Sequence, residues 1–218
     1  MTLASTDLGS LGMAVMTDPV AATAASIRVR GLTVRRGERL LFEGLGFDLA
    51  PGGVLLVRGA NGAGKSTLLL TLAGIVRAEA GTVEGIEPAA LHLLNYQSGL
   101  KGRLGVAENL RFWRDMYGAG GLSIEAALER VGIGTLAGLE TGYLSSGQQR
   151  RLSLARLLVS PRPLWLLDEP SAALDAAGEA LLGQLIDAHR ESGGMAVIAT
   201  HHDLPLADPA GVATLVLA

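Results

Sequence analysis

Apolar positions along this chain follow two periods that alternate. Unbroken runs at Val54-Leu55-Leu56-Val57, Leu164-Trp165-Leu166-Leu167 and Met195-Ala196-Val197-Ile198 have the length and content of buried strands. Helical spacing links Leu68 to Leu72, then Val106, Leu110, Trp113 and Tyr117, then Ile124, Leu128 and Val131. A later helix carries Leu181, Leu182, Leu185, Ile186 and His189 on one face, with His189 at its surface or boundary. The start of the chain differs. Ile27-Arg28-Val29-Arg30 and Leu32-Thr33-Val34 alternate as an edge strand does, and Arg36-Gly37-Glu38 turns the chain. Leu40 to Leu49 returns as a second strand, and Gly81 to Gly85 has the look of a short hairpin strand. Val212 to Leu217 closes the chain as a strand. This alternation predicts a largely parallel α/β core. An antiparallel β-subdomain comes first, and a small helical subdomain, about 101–160, is inserted between Gln97 and Leu164. The aromatics of the middle segment are read as packing.

Composition narrows the classes. With 218 residues the chain has room for one domain over 26–218. Its 18 Lys and Arg are outweighed by 21 Asp and Glu, so no basic field exists for nucleic acid. The absence of cysteine excludes disulfides, thiolate metal sites and a thiol nucleophile. No apolar stretch approaches the ~20 residues of a membrane-spanning helix, which predicts a soluble or peripheral protein. Residues 1–25, rich in Ala, Thr, Ser and Gly, lack the plan of a signal peptide and are expected to be a flexible tail, with Met13 and Met16 as alternative starts.

The chemistry lies at the ends of the predicted strands. Gly59-Ala60-Asn61-Gly62-Ala63-Gly64-Lys65-Ser66-Thr67 fits G-x-x-x-x-G-K-[ST] between a strand and a helix. Such a turn aims backbone N–H groups and a helix N-terminus at phosphates. Lys65 would reach the β- and γ-phosphates of ATP, and Ser66 would hold Mg²⁺. Asp168 and Glu169 end the second apolar run; Asp168 is the expected further Mg²⁺ contact and Glu169 the group that polarises the attacking water. Upstream, Leu144-Ser145-Ser146-Gly147-Gln148-Gln149 precedes a helical run, where a serine is also explained as an N-cap.

Leu-Ser-x-Gly-Gln followed by a strand ending in Asp-Glu resembles the signature and Walker B motifs of ABC-type ATPases, with Ser146 in place of the usual first glycine. The chain order of Walker A, Gln97, Ser145 to Gln148, Asp168-Glu169, Asp175 and His201 is similar to that superfamily over roughly residues 27–217. The resemblance implies a P-loop NTPase fold and an ATPase that works as a homodimer. Gln97 would touch Mg²⁺ and the attacking water, Asp175 would report across the dimer interface, and His201 would contact the γ-phosphate. Within the superfamily, Asn95-Tyr96-Gln97-Ser98-Gly99-Leu100-Lys101, continuing through Glu108-Asn109-Leu110, resembles the ATP-binding subunit of the cytochrome c maturation system. Tyr96 stands where that family commonly has histidine. This resemblance implies a peripheral ATPase on the cytoplasmic face of the inner membrane. It would work with integral membrane permease subunits to power haem export or release of a haem-loaded chaperone. Direct haem binding is not expected, since His92, His189, His201 and His202 form no ligand motif. The alternatives are an ABC ATPase for another substrate and a non-transport ABC ATPase. Lys101 and Arg103 would rim a groove for a permease helix, with Leu100 and Leu104 as apolar contacts, unless all four are ordinary packing residues. Many ABC domains stack adenine on an aromatic ring before the P-loop. The matching turn here is Val34-Arg35-Arg36-Gly37, so either an arginine stacks on the base or the turn is solvated.

Overall fold

The computed structural model describes residues 25–95, 99–209 and 211–218. The tail expectation for 1–25 therefore falls, except for residue 25, outside the described residues, and so does Gln97. Strands β1 (Ile27–Arg36) and β2 (Arg39–Leu49) form an antiparallel hairpin, followed by β3 (Val54–Gly59) and helix α1 (Lys65–Leu72). Then come β4 (Ala80–Glu84), β5 (Leu91–Leu94), and the helices α2 (Val106–Tyr117), α3 (Ile124–Arg130) and α4 (Ser146–Val159). The chain closes with β6 (Leu164–Asp168), α5 (Ala176–Glu191), β7 (Met195–Ala199) and β8 (Val212–Leu217).

These strands make two sheets. One is antiparallel in the order β2-β1-β4, and the other is parallel in the order β5-β6-β7-β3-β8. β4 was legible as a short strand, but it pairs with β1 rather than in a hairpin with a neighbour in sequence. The continuous apolar runs follow from burial of the parallel sheet on both faces. Leu55, Val57, Leu164, Leu166, Val197 and Ala199 face α1 and the antiparallel sheet. Their neighbours Val54, Leu56, Trp165, Leu167, Ala196 and Ile198 face the other core, with α2 to α5. A fully buried aliphatic side chain contributes ~1.5–3 kcal/mol. The two-faced core therefore fixes where each strand ends, and with it the groups carried on those ends.

Candidate nucleotide-binding site

The site is built where β6, β7 and β3, neighbours in the parallel sheet, finish at their carboxyl ends, the usual ligand crevice of such a sheet. β3 ends in Gly59, whose φ of 147° and position beside β8 admit no side chain: a Cβ there would lie 2.4 Å from the Leu217 carbonyl oxygen. The loop then enters α1 through Gly64 in a left-handed conformation. The first turn bond runs from Leu68 N–H to Gly64 O, so the N–H groups of Lys65, Ser66 and Thr67 precede the helical ladder and remain as donors for an anion. Lys65 is buried, and its Nζ donates to Gly59 O at 2.8 Å and Ala60 O at 3.1 Å, closing the loop over its own carbonyls.

From β6, Asp168 reaches the same place. Burial pushes its carboxyl above the usual carboxylate range, with the charge of Glu169 adding to that; the Ser66 hydroxyl bond and the Lys65 charge pull it back. Glu169 follows in a left-handed backbone conformation, φ 46°, that costs a non-glycine residue about 1–3 kcal/mol. Its N–H donates to Ala199 O of β7 at 2.8 Å, which holds the strained turn in place. One oxygen, Oε1, lies 3.0 Å from His201 Nδ1, while Oε2 is buried with no hydrogen-bond partner among the described residues. The backbone just before His201 is fastened by Thr200 N–H to Val57 O, and Asp203 just after it pairs with Arg58 at 2.7 Å. A cleft of about 340 Å³ gathers Asn61, Gly62, Gly64, Lys65, Ser66, Thr67, Asp168 and Glu169 on one side and Arg36, Arg39 and Leu41 on the other.

Sequence reasoning had found Arg36 but not Arg39 or Leu41. Arg35 points elsewhere, pairing with Glu79 at 3.0 Å. The only sequence signal for Arg39 was an arginine on each side of a two-residue turn.

The Ser145 to Gln148 segment is in another place and lines none of this cleft. It opens α4 as a capping box: Ser145 Oγ accepts from Gln148 N–H at 3.2 Å, and Ser145 N–H donates to Gln148 Oε1 at 2.9 Å. Ser145 and Ser146 are exposed. Gly147 abuts the loop after β6, where a Cβ would lie 2.8 Å from Ala173 O, and Ala173 is, with Glu169, a non-glycine residue held at positive φ, 66°. Asp175, expected at a dimer interface, caps α5 of its own chain, accepting from Gly178 N–H at 2.9 Å and pairing with Arg151 of α4 at 2.7 Å. Those two contacts hold its carboxyl below the usual range.

His202 is exposed beside His201, while His92 and His189 pack within the chain. His92 is sealed beside Ser160 O at 2.6 Å, and burial lowers its pKa to about 3. His189, read from sequence as a surface or boundary residue, lies flat on Trp165 at 3.9 Å, with burial lowering its pKa to about 4. Among the described residues no group of His, Asp and Glu is arranged to hold a metal ion by itself, and no helix is long and apolar enough to cross a membrane.

Comparison with known proteins agrees with this geometry. The ABC transporter family model matches residues 42–172. A cytochrome c biogenesis ATP-binding export protein CcmA of Rhizobium johnstonii is 47% identical over 80% of this chain and 87% of its own. The protein of that name from Mesorhizobium japonicum is 49% identical over 78% and 88%. Among solved structures, a putative ABC transporter ATP-binding protein from Pyrococcus furiosus shares the fold, with a TM-score of 0.76 at 24% identity over 88% of this chain and 98% of that one. A dimeric post-hydrolysis ATP-binding cassette bound to ADP and Pi gives 0.71 at 22% identity over 81% and 88%. With this extent of similarity, the chain belongs to the CcmA family of cytochrome c biogenesis ATP-binding export proteins, within the ABC transporter ATPases.

Proposed function

We propose that this chain is the ATP-hydrolysing subunit of a membrane export complex that powers haem export, or release of a haem-loaded chaperone, in cytochrome c biogenesis. The observation that carries the reading is the convergence of the Lys65 loop, Ser66, Asp168 and Glu169 on one cleft, with His201 against Glu169. The loop N–H groups and Lys65 hold the triphosphate. Ser66 and Asp168 are hard oxygen donors of the kind Mg²⁺ takes alongside water and phosphate, and they would hold it. When bound, Mg²⁺ offsets charge on the phosphate oxygens. Glu169 Oε2 is a buried acceptor still short of a donor, and the attacking water supplies one, so Glu169 is the general base.

His201 has two nitrogens and one of them faces Glu169. A neutral ring donating from Nδ1 leaves only an acceptor at Nε2. Contact with a γ-phosphate oxygen therefore requires the charged ring or release of Glu169. Gln97 joins this set as a ligand of metal and water. The Ser145 to Gln148 segment, exposed at its two serines, closes the cleft of a second copy, which gives two sites per homodimer.

Coupling to integral membrane subunits falls to the loop after Gln97, and the complex sits on the cytoplasmic face of the inner membrane. Asn109 fixes this loop through Lys101 N–H and O at 2.9 and 3.0 Å and through Thr141 Oγ1 at 2.8 Å. Lys101 and Arg103 are exposed on it, beside Tyr143 at 75% exposure. Leu100 is partly buried against the helical core of its own chain, as the packing alternative has it.

In cells lacking this chain, the wild type restores cytochrome c maturation and Glu169→Gln does not. The double variant of Lys101 and Arg103 keeps basal hydrolysis but no longer co-purifies with the membrane subunits. Failure of the wild type to restore maturation overturns the substrate assignment, and normal co-purification removes Lys101 and Arg103 from the coupling surface.

A further inference from the structure

Helical periodicity along α2 predicts an apolar residue at position 109, on the buried face with Val106 and Leu110, and the chain has an asparagine there. Asn109 is fully buried. Its amide is satisfied at both ends. Oδ1 accepts from Lys101 N–H at 2.9 Å, while Nδ2 donates to Lys101 O at 3.0 Å and to Thr141 Oγ1 at 2.8 Å. Longer Nδ2 contacts of 3.3 Å reach Leu104 O and Gly105 O. An oxygen facing an N–H and an amino group facing oxygens fix which way the amide points. A leucine would fill the same space but fix no direction, and it would leave Lys101 N–H and the Thr141 hydroxyl without this partner.

The two segments joined in this way are distant in sequence and adjacent in space. Residues 102–107 and 137–142 run antiparallel: Gly142 N–H donates to Gly102 O, Thr141 N–H to Leu104 O and Val106 N–H to Leu139 O, each at 2.9 Å. The second segment leads straight into α4. From that helix Gln149 Nε2 donates back to Leu144 O at 3.2 Å and to Thr141 O at 3.5 Å, and Ser145 caps the helix. A continuous line of contacts therefore runs from Lys101 through Asn109 and Thr141 to Gln149, and ends at the exposed Ser145 and Ser146.

We propose that Asn109 is a positioning residue for hydrolysis: it makes Lys101 to Gly105 and Thr141 to Ser145 one rigid piece, and so aims the α4 terminus at the nucleotide of a second copy. The proposal rests on the shared-site reading above and adds to it the group that holds that terminus in place. A push on the exposed Lys101 or Arg103 travels through the same piece, because bonded and packed groups move together.

The ATP-trapped dimer of the full chain carrying Glu169→Gln, measured by analytical ultracentrifugation, tests this. Adding Asn109→Leu is expected to weaken dimer association about tenfold, or about 1.4 kcal/mol. In the chain that keeps Glu169, Asn109→Leu should lower kcat about tenfold, with KM for ATP within about twofold of wild type. Thr141→Val keeps the shape and removes one acceptor. It should weaken the dimer about threefold, and the double variant with Asn109→Leu should be no weaker than Asn109→Leu alone. A cross-link supplies the rescue. The chain has no cysteine, and a Cβ on Gly102 would lie 3.9 Å from Gly142 Cα, within reach of a disulfide. Oxidation of Gly102→Cys/Gly142→Cys should restore the dimer in Asn109→Leu, and reduction should remove it again. Ile124→Val, a substitution in the same helical core but outside this network, should keep the wild-type dimer. A wild-type dimer in Asn109→Leu, additive losses in the double variant, no recovery on oxidation, or a comparable weakening by Ile124→Val overturns the proposal. Absence of an ATP-dependent dimer in Glu169→Gln itself defeats the shared-site reading beneath it, and that result is seen before Asn109 is changed.

Discussion

The phosphate loop and the segment that opens α4 are both helix N-termini, and they are finished to different degrees. The loop is complete within one chain: Lys65 is buried and bonded to two loop carbonyls, and Ser66 lines the same cleft as Asp168. The α4 terminus satisfies Ser145 and Gln148 with its own capping box, leaves Ser145 and Ser146 exposed, and points at nothing in its own cleft. A buried, internally satisfied site can bind as a monomer. An exposed helix terminus with donors to spare acquires a role only when another molecule brings an anion to it. On the proposed function, this contrast would leave nucleotide binding to one chain and hydrolysis to two.

The largest effect expected from this division is on chemistry alone. Glu169→Gln should lower hydrolysis by roughly 10²–10⁴-fold while ATP affinity is retained, because a general base is lost and no phosphate contact is. ATP should then accumulate a closed dimer visible by size-exclusion chromatography. Hydrolysis at the wild-type rate would remove Glu169 from the role of base.

Next is the other helix terminus. Gly147→Ala sets a methyl 2.8 Å from Ala173 O, so either α4 or the strained loop after Glu169 must shift. Hydrolysis is expected to fall about 10²-fold with little change in ATP affinity. Lys65→Ala should do the converse, weakening ATP about 10- to 10²-fold through loss of charge-assisted contacts. Mixing the two variants decides between a shared site and a self-contained one. A mixed dimer pairs the intact Lys65 loop of one chain with the intact Gly147 of the other. Random pairing then recovers about a quarter of wild-type hydrolysis. No recovery, with mixed dimers shown to form, would mean that each chain hydrolyses ATP alone.

The two regions also differ in how they were read from sequence. The fold was legible because a parallel sheet buried on both faces leaves unbroken apolar runs, such as Leu164 to Leu167, of a length and content that few other elements share. The phosphate loop was legible for a related reason: its glycines and Lys65-Ser66 are demanded by backbone geometry and charge at fixed offsets. Residues whose position depends on tertiary contacts gave less signal. Glu169 and Ala173 take positive φ without being glycine, so nothing in their identity announces the strained turn. Arg39 looks like any turn arginine until β1–β2 pairing sets it opposite Arg36. Asp175 was read through resemblance, which carried no hint of its tie to Arg151 in its own chain. β4 has the local pattern of a hairpin arm, and its partner β1 is some fifty residues earlier, a pairing that local pattern does not encode.

The smallest expected effect sharpens the comparison from outside both termini. His189 of α5 lies flat on Trp165 of β6, the strand that ends in Asp168, and its Nε2 is 3.1 Å from Met195 O of β7. Burial lowers its pKa from 6.5 to about 4, so folding favours the neutral ring. The unfolded chain therefore takes up a proton before the folded one does as pH falls. The stability contributed by neutral His189 is complete above pH 6.5 and is lost progressively toward pH 4. Between pH 7 and pH 5 the loss is about 1–2 kcal/mol. His189→Gln retains an N–H donor for Met195 O and has no proton to take up. Urea unfolding of both proteins at the two pH values should show the wild type losing that much more than the variant, while other titrating groups, His92 included, cancel. ATP affinity at pH 7 should be the same in both, because β6 is supported here far from the Lys65 loop and from α4. Equal losses in the two proteins would show that His189 is not held neutral, and a changed ATP affinity would show that support of β6 extends into the phosphate site.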